Sequence, residues 1–169
     1  MTSPSTDALF AAMKPPPPRR LGWWLLAWPA FDGQLERLVG EVERLRERDP
    51  AGYRQHPKTR LLATIVRIIT RDVPSDPGAA QFRQGGRLGA EYTGWFRAKF
   101  HRRFRLFFRF DSRRKAIVFG WMNDEGGLRK EGARTDPYSV FRRMLQRGAP
   151  PASFEELLRE SHGLALPPE

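Results

Sequence analysis

Trp95 to Trp121 reads WFRAKFHRRFRLFFRFDSRRKAIVFGW, and its periodicity decides the fold. Phe96, Ala98 and Phe100 alternate with Arg97, Lys99 and His101. Phe104, Leu106, Phe108 and Phe110 alternate with Arg103, Arg105, Phe107 and Arg109. A period of two sustained in this way marks strands with one apolar face. Asp111 to Lys115 is polar enough to turn, and Ala116 to Trp121 makes a third strand. The stretch is expected to form an antiparallel meander, with His101 in the turn between its first two strands.

Upstream the period changes to 3.6. Phe31, Leu35, Leu38, Val39, Val42 and Leu45 fall on one helical face, with Asp32 placed to cap its start and Asp49-Pro50 to end it. Leu61, Leu62, Ile65, Ile68 and Ile69 mark a second amphipathic helix, stopped by Val73-Pro74. Short connections make the two a helical hairpin. Leu21 to Trp28 (LGWWLLAW) suits a buried strand, although periodicity alone does not exclude a helical piece. Residues 74–94, rich in Pro and Gly, read as loop with a short strand near Leu88.

Downstream of the meander, Asp136-Pro137 opens a helix carrying Tyr138, Val140, Phe141, Met144 and Leu145, ended by Gly148. Ser153 and Glu156 form a capping box for a last short helix. The fold class is α+β: an N-terminal helical hairpin packed on a small twisted antiparallel sheet, with short C-terminal helices. Residues 1–20 are expected to be a disordered Pro-rich tail, 21–162 a single domain, and 163–169 a C-terminal tail.

The chain has 169 residues, one ordinary domain with enough length to bury a core. It contains no Cys, which excludes a disulfide scaffold, a thiolate metal site and a cysteine nucleophile. His56, His101 and His162 lie far apart in sequence, so no histidine-rich metal centre is expected. The longest apolar run, Leu21 to Phe31, has 11 residues, against the ~20 a membrane span needs. Met1 to Met13 lacks the basic start of a secretory signal, and the expected location is the cytoplasm.

Charge carries the functional reading. Lys and Arg number 30 against 19 Asp and Glu, a net charge of +11. Residues 97–115 hold Arg97, Lys99, Arg102, Arg103, Arg105, Arg109, Arg113, Arg114 and Lys115 against Asp111 alone. A fold does not need that excess, and it points to a polyanion, with nucleic acid foremost. Because the alternating phenylalanines face a core, the basic rows of both strands should face outward together. The result is a cationic palm with Phe107 among the charges, suited to phosphates and to base stacking.

Such a palm can also cut RNA, whose 2′-hydroxyl is a built-in nucleophile. Arginine forks stabilise charge developing on the phosphorane. A lysine crowded by like charges gives up its proton more readily. Lys99, flanked by Arg97 and facing Arg105, is the palm's candidate base. Two other readings fit a basic face: a non-catalytic basic RNA- or ribosome-binding module, and a DNA-binding co-repressor.

The quoted stretch resembles the YhaV toxins of the RelE-like ribonuclease superfamily. So do MNDE at Met122 to Glu125, Leu128-Arg129, Thr135-Asp136 with Tyr138, RGAPPASFEELLRE from Arg147, and the opening LGWWLLAWPAF. The resemblance runs from about Leu21 to Glu160. It implies a RelE-like fold and a toxin of a type II toxin–antitoxin system. Such a toxin cuts mRNA in association with the ribosome and uses no metal or cofactor. The implied partner is a small AbrB-like antitoxin of the PrlF type, with operator DNA bound only through the antitoxin complex.

By position the resemblance assigns catalysis to Arg97, Lys99, Arg105, Arg129 and Tyr138. Arg105 would hold the phosphate, Arg129 would serve the leaving side, and Tyr138 would stack on a base. The link from Trp121 to Tyr138 is longer than in the compact RelE toxins, so Lys130 and Arg134 stand as alternatives to Arg129. RNA contacts are expected at Arg102, Arg103, Phe107, Arg109, Lys130 and Arg134.

Overall fold

The computed structural model describes residues 4–124 and 136–168. In chain order the elements begin with α1 (Pro4–Ala12), β1 (Arg19–Arg20), β2 (Trp23–Ala27), α2 (Pro29–Arg48), α3 (Pro57–Arg67) and the short α4 (Val73–Ser75). There follow β3 (Phe96–Phe100), β4 (Phe104–Asp111), β5 (Ala116–Met122), α5 (Pro137–Gln146), α6 (Phe154–Glu160) and β6 (His162–Gly163).

The meander forms as its alternation dictates. β3 pairs with β4 and β4 with β5, both antiparallel. The expectation of a wholly antiparallel sheet is corrected at β2, which runs parallel to β5 with Trp24 opposite Ala116 and Ala27 opposite Phe119. The strand order is β1-β2-β5-β4-β3, with β6 pairing on β2, so the sheet is mixed. The five residues of β2 are all buried. An unbroken apolar run of this kind belongs to a strand covered on both faces, the usual environment of parallel pairing.

Two apolar layers follow. On one face Leu25, Ala98, Leu106, Phe108 and Phe119 meet Phe31, Leu35, Leu38, Leu61 and Ile65 of α2 and α3. On the other, Trp24, Leu26, Phe107 and Val118 meet Phe10 of α1, Phe141 and Leu145 of α5, and Leu157 of α6. β5 feeds both layers through a bulge. Phe107 pairs with Trp121 and Phe108 with Phe119, which leaves Gly120 unpaired. The extra residue shifts the alternation by one, so Phe119 enters the first layer and Trp121 packs on the second. Gly120 is required there: a Cβ would lie 2.8 Å from the Trp95 ring.

Several boundaries differ from the sequence reading. Residues 1–20 are not all a solvated tail. Residues 4–12 are helical, Phe10 is buried against Trp24 at 5.7 Å, and the Trp24 indole N–H donates to Asp7 at 3.0 Å. One aromatic anchor and one hydrogen bond are what dock it. At the other end Leu164 is buried and its N–H donates to Leu25 at 3.0 Å. Asp32 does not cap α2, which starts one turn earlier at Pro29; its carboxylate meets His162 at 3.1 Å instead. Pro at the first helical position needs no N–H partner, which is why the earlier start is tolerated. Leu88 is fully buried but lies in no strand. The single bridge of that loop joins Arg83 to Phe96. α3 runs on through a π-helical turn, Ile68–Asp72, into α4.

Gly120→Ala is expected to force the Trp95 ring aside and destabilise the fold by ~1–3 kcal/mol, as overpacking typically does. A thermal melt checks it; an unchanged transition contradicts the bulge's role.

Candidate active site

Strand alternation and pairing register bring the basic residues to one face. Lys99 stands directly opposite Arg105, and Arg97 opposite Phe107. Directly opposed side chains on one sheet face sit about 4.5–5.5 Å apart at Cβ. The shared face predicted from the sequence is therefore present. What covers it is different from the expectation of an open palm.

Phe107 is fully buried, so its expected place as a stacking platform for bases is corrected. Its ring lies 4.3 Å from Phe141 of α5, nearly parallel at 12°, and Trp121 stacks on Phe141 at 5.7 Å. α5 covers the sheet because Tyr138, Phe141 and Leu145 recur at i, i+3 and i+7 and all three are buried. Asp136 caps it, accepting from the Ser139 N–H at 3.3 Å and from the Ser139 hydroxyl at 3.2 Å. The 3.6-residue spacing marks the helix but carries no sign of which face of the sheet it covers.

Arg97 is also covered, and Arg109 is half-buried. Arg97 is 7% exposed; its Nε donates to the Tyr138 hydroxyl and its Nη1 to the Gln81 carbonyl, both at 2.8 Å. Arg109 donates to the Ala152 carbonyl at 2.7 Å and lies over the rings of Trp95 and Phe154. Burial lowers its pKa from the ordinary arginine value. Arg109 thus ties the segment before α6 to the sheet and is not among the residues that line the open cleft. Tyr138 is buried, with its hydroxyl engaged by Arg97 and the Arg87 guanidinium 5.1 Å from its ring. Neither a free base-stacking face nor a free Arg97 is presented.

The hairpin end of the sheet stays open. Arg87, Arg102, Arg103, Arg105, Pro137, Tyr138 and the capping Asp136 line a cleft of about 180 Å³ there. Lys99 is exposed beside it and lines the neighbouring cavity with Gln81 and Phe82. Arg105 folds back so that Nη1 donates to the carbonyls of Arg102 (2.9 Å) and Phe104 (2.8 Å). Its Nε is buried and has no acceptor among the described residues. A buried N–H without an acceptor costs about 1–3 kcal/mol, and Arg105 reaches the cleft as one of its lining residues.

Two devices hold the hairpin turn. Asn123, almost fully buried, accepts from the Arg105 backbone N–H at 2.7 Å and donates to the Arg103 carbonyl at 2.9 Å. His101 Nε2 lies 2.9 Å from the Thr64 hydroxyl of α3. Thr64 already donates to the Arg60 carbonyl, so His101 is the donor of that contact. Both grip a strained turn, in which His101 (φ 43°) and Arg102 (φ 64°) occupy the left-handed region without being glycine. Alternation places His101 in the turn without giving its Thr64 partner, and it does not point to Asn123 or Arg87. An Asn directly after a strand carries no periodic signal, and Arg87 sits in a loop whose path periodicity does not give. Arg129, Lys130 and Arg134, like Glu125, lie outside the described residues.

Residues 25–162 match the model of a family described as a toxin with endonuclease activity, of a toxin–antitoxin system. The chain belongs to the YhaV toxin family. It is 44% identical over 147 residues to "Ribonuclease toxin YhaV" of Escherichia coli strain K12, covering 86% of this chain and 96% of that protein. "Toxin YhaV" of Escherichia coli O157:H7 matches with the same identity and coverage. No solved structure matches significantly. As a member of the YhaV family the chain is an endonuclease toxin of a toxin–antitoxin system, with an antitoxin as partner. Among the described residues no helix is long and apolar enough to cross a membrane.

Tyr138→Phe removes the acceptor of the buried Arg97 Nε and is expected to destabilise the protein by ~1–3 kcal/mol, read as a lowered denaturation midpoint. Phe107→Ala should cost about 3–5 kcal/mol as a core truncation. Phe107→Leu should keep the fold and leave RNA affinity unchanged in a binding titration, whereas a loss of affinity would restore Phe107 as a base contact.

Proposed function

We propose that the chain is a RelE-like endoribonuclease that cuts mRNA by internal attack of the 2′-hydroxyl at the open hairpin end of β3 and β4. The observation that carries this reading is the opposition of Lys99 and Arg105 at the rim of a cleft formed mainly by arginines. Phosphate oxygens meet Arg105 where it lines the cleft and face Arg102 and Arg103 as well. Arginine suits the task because its planar fork is always charged and pre-oriented.

In the proposed step Lys99 takes the proton of the 2′-hydroxyl as the O2′–P bond forms. Arg105 holds the non-bridging oxygens while charge builds on the phosphorane. The P–O5′ bond then breaks, leaving a 2′,3′-cyclic phosphate. Arg129, with Lys130 and Arg134 as alternatives for that role, stabilises the leaving 5′-oxygen, which takes its proton from water. Arg97 and Tyr138 act as positioning residues: bonded to each other beneath the surface, they hold the floor on which β3 presents Lys99. The cations supply the charge stabilisation that a metal would otherwise give, and they repel a divalent ion from the cleft. Cleavage in association with the ribosome and neutralisation by a small AbrB-like antitoxin of the PrlF type belong to the same reading, which goes beyond the family's description as an endonuclease toxin of a toxin–antitoxin system.

Purified protein, labelled mRNA and EDTA, with and without translating ribosomes, test this function. Cleavage is expected to survive chelation and to be stronger on ribosomes. Lys99→Ala and Arg105→Ala should each lower it at least 100-fold, about the scale of a general base or a charge-stabilising donor. Arg105→Lys should not restore it, since a point charge cannot replace the fork. Cleavage lost on chelation, or retained in both alanine variants, overturns the assignment. Asn123→Ala should reduce cleavage by displacing Arg105 while a melt still shows a folded protein.

A further inference from the structure

A second cationic cluster lies at the opposite end of the sheet. β1 pairs with β2 so that Arg19 stands opposite Trp24 and Arg20 opposite Trp23. The turn between β4 and β5 reaches the same end, where the Trp24 N–H donates to the Lys115 carbonyl at 2.7 Å. Arg19, Arg20, Arg113 and Lys115 are all exposed there. Arg114 is excluded from the cluster because Asp111 and Glu155 both pair with it. Asp7 is the other acid near this end, and its carboxylate accepts from Trp24.

We infer that this end of the sheet is a second binding surface for the phosphodiester backbone of RNA, remote from the cleft. The inference rests on the proposed RNA substrate and extends it. The chemistry is that of a phosphate contact: exposed cations on a rim, without a pocket that would select a base. The indole rings below are already covered, Trp24 by Arg19 at 4.4 Å and Trp23 by Lys115 at 4.9 Å. The cations therefore form the outermost layer. A protein partner is anchored by buried aromatic or aliphatic side chains in pockets. Leu21, 63% exposed at the tip of the β1–β2 turn, and Leu9, 68% exposed on α1, are the large apolar side chains exposed among the described residues. Two exposed leucines on separate elements, with no pocket between them, do not make such an anchor.

Distance makes the surface useful. β4 joins the two ends and has eight residues, Phe104–Asp111. At ~3.3 Å per residue the cleft and the second cluster lie about 23 Å apart. A trinucleotide cannot reach both, and a long single strand or a folded RNA can. The second surface then adds affinity without touching the reacting phosphate, by raising the local concentration of RNA at the cleft.

The test uses non-cleavable 2′-O-methyl RNA, so that binding is read apart from cleavage. The triple variant Arg20→Gln/Arg113→Gln/Lys115→Gln is compared with wild type on a 30-nucleotide strand and on a trinucleotide. On the long strand the variant should bind at least 10-fold more weakly, and its slope of log K against log salt should fall by about 2, near 0.7 per lost phosphate contact. On the trinucleotide the two proteins should bind alike. The charge-keeping variant Arg20→Lys/Arg113→Lys/Lys115→Arg should restore long-strand binding, which separates charge from misfolding. Arg105→Ala, measured beside them, reports the cleft: it should weaken the trinucleotide, and its failure to do so would count against the cleft while leaving the second surface to be judged on the long strand. An unchanged affinity and salt slope on long RNA overturns the inference. So does a triple variant that keeps RNA binding but escapes neutralisation by its antitoxin, since the surface would then belong to an acidic protein.

Discussion

Phe107, Phe141 and Trp121 lie ring on ring, with Phe107 and Phe141 4.3 Å apart and Phe141 and Trp121 5.7 Å apart. Much of the site follows from this stack. It fixes α5 over the middle of the sheet's second face, and that helix carries Tyr138 to within hydrogen-bond distance of Arg97. Strand alternation places five functional candidates on the face, and the stack decides which of them reach solvent. Those under α5 and the segment before α6 become internal supports. Those beyond it, Lys99 and Arg105 with Arg102 and Arg103 in the adjoining turn, remain open to a polyanion. The unpaired Gly120 belongs to the same device, because it brings Trp121 onto the stacked face while Phe119 stays in the other layer.

The cleft has a cost structure that suits its chemistry. Arg97 is a buried cation held by a hydroxyl and a carbonyl, with no carboxylate in the ion pairs among the described residues. Burying a charge without a counter-charge is unfavourable, and an anion arriving nearby relieves it. Two consecutive left-handed residues in the hairpin turn store backbone strain at the same place. Asn123 and the His101–Thr64 contact restrain that turn from two sides. A preorganised, strained, cation-rich rim is the environment in which charge developing on a phosphorane is stabilised without further rearrangement.

The sequence showed the periodic parts of this arrangement and missed the parts that depend on packing between elements. Alternation in 96–110 gave the strands, the common face and the Lys99–Arg105 neighbourhood, because side-chain direction in a strand is a local property. The 3.6-residue spacing gave α2, α3 and α5. The parallel pairing of β2 with β5 was not legible, since an all-apolar strand carries no mark of its partner or direction. The docking of residues 4–12 escaped for a related reason: a single buried Phe10 and one Asp7–Trp24 hydrogen bond are too few to produce a period. The burial of Phe107 was the main misreading. On alternation alone it shares a face with arginines, and only the three-dimensional position of Phe141 shows that the face is closed there.

The central claim is that RNA itself supplies the nucleophile at the Lys99–Arg105 end of the sheet. End-group analysis of the cleavage products tests it most directly, using one substrate made with ribose throughout and a second with a single 2′-deoxynucleotide at the scissile position. The account predicts a 2′,3′-cyclic phosphate, or its opened phosphate, and a 5′-hydroxyl from the first, and no cut at that position in the second. A 5′-phosphate product, or equal cleavage of the deoxy-substituted strand, would contradict it.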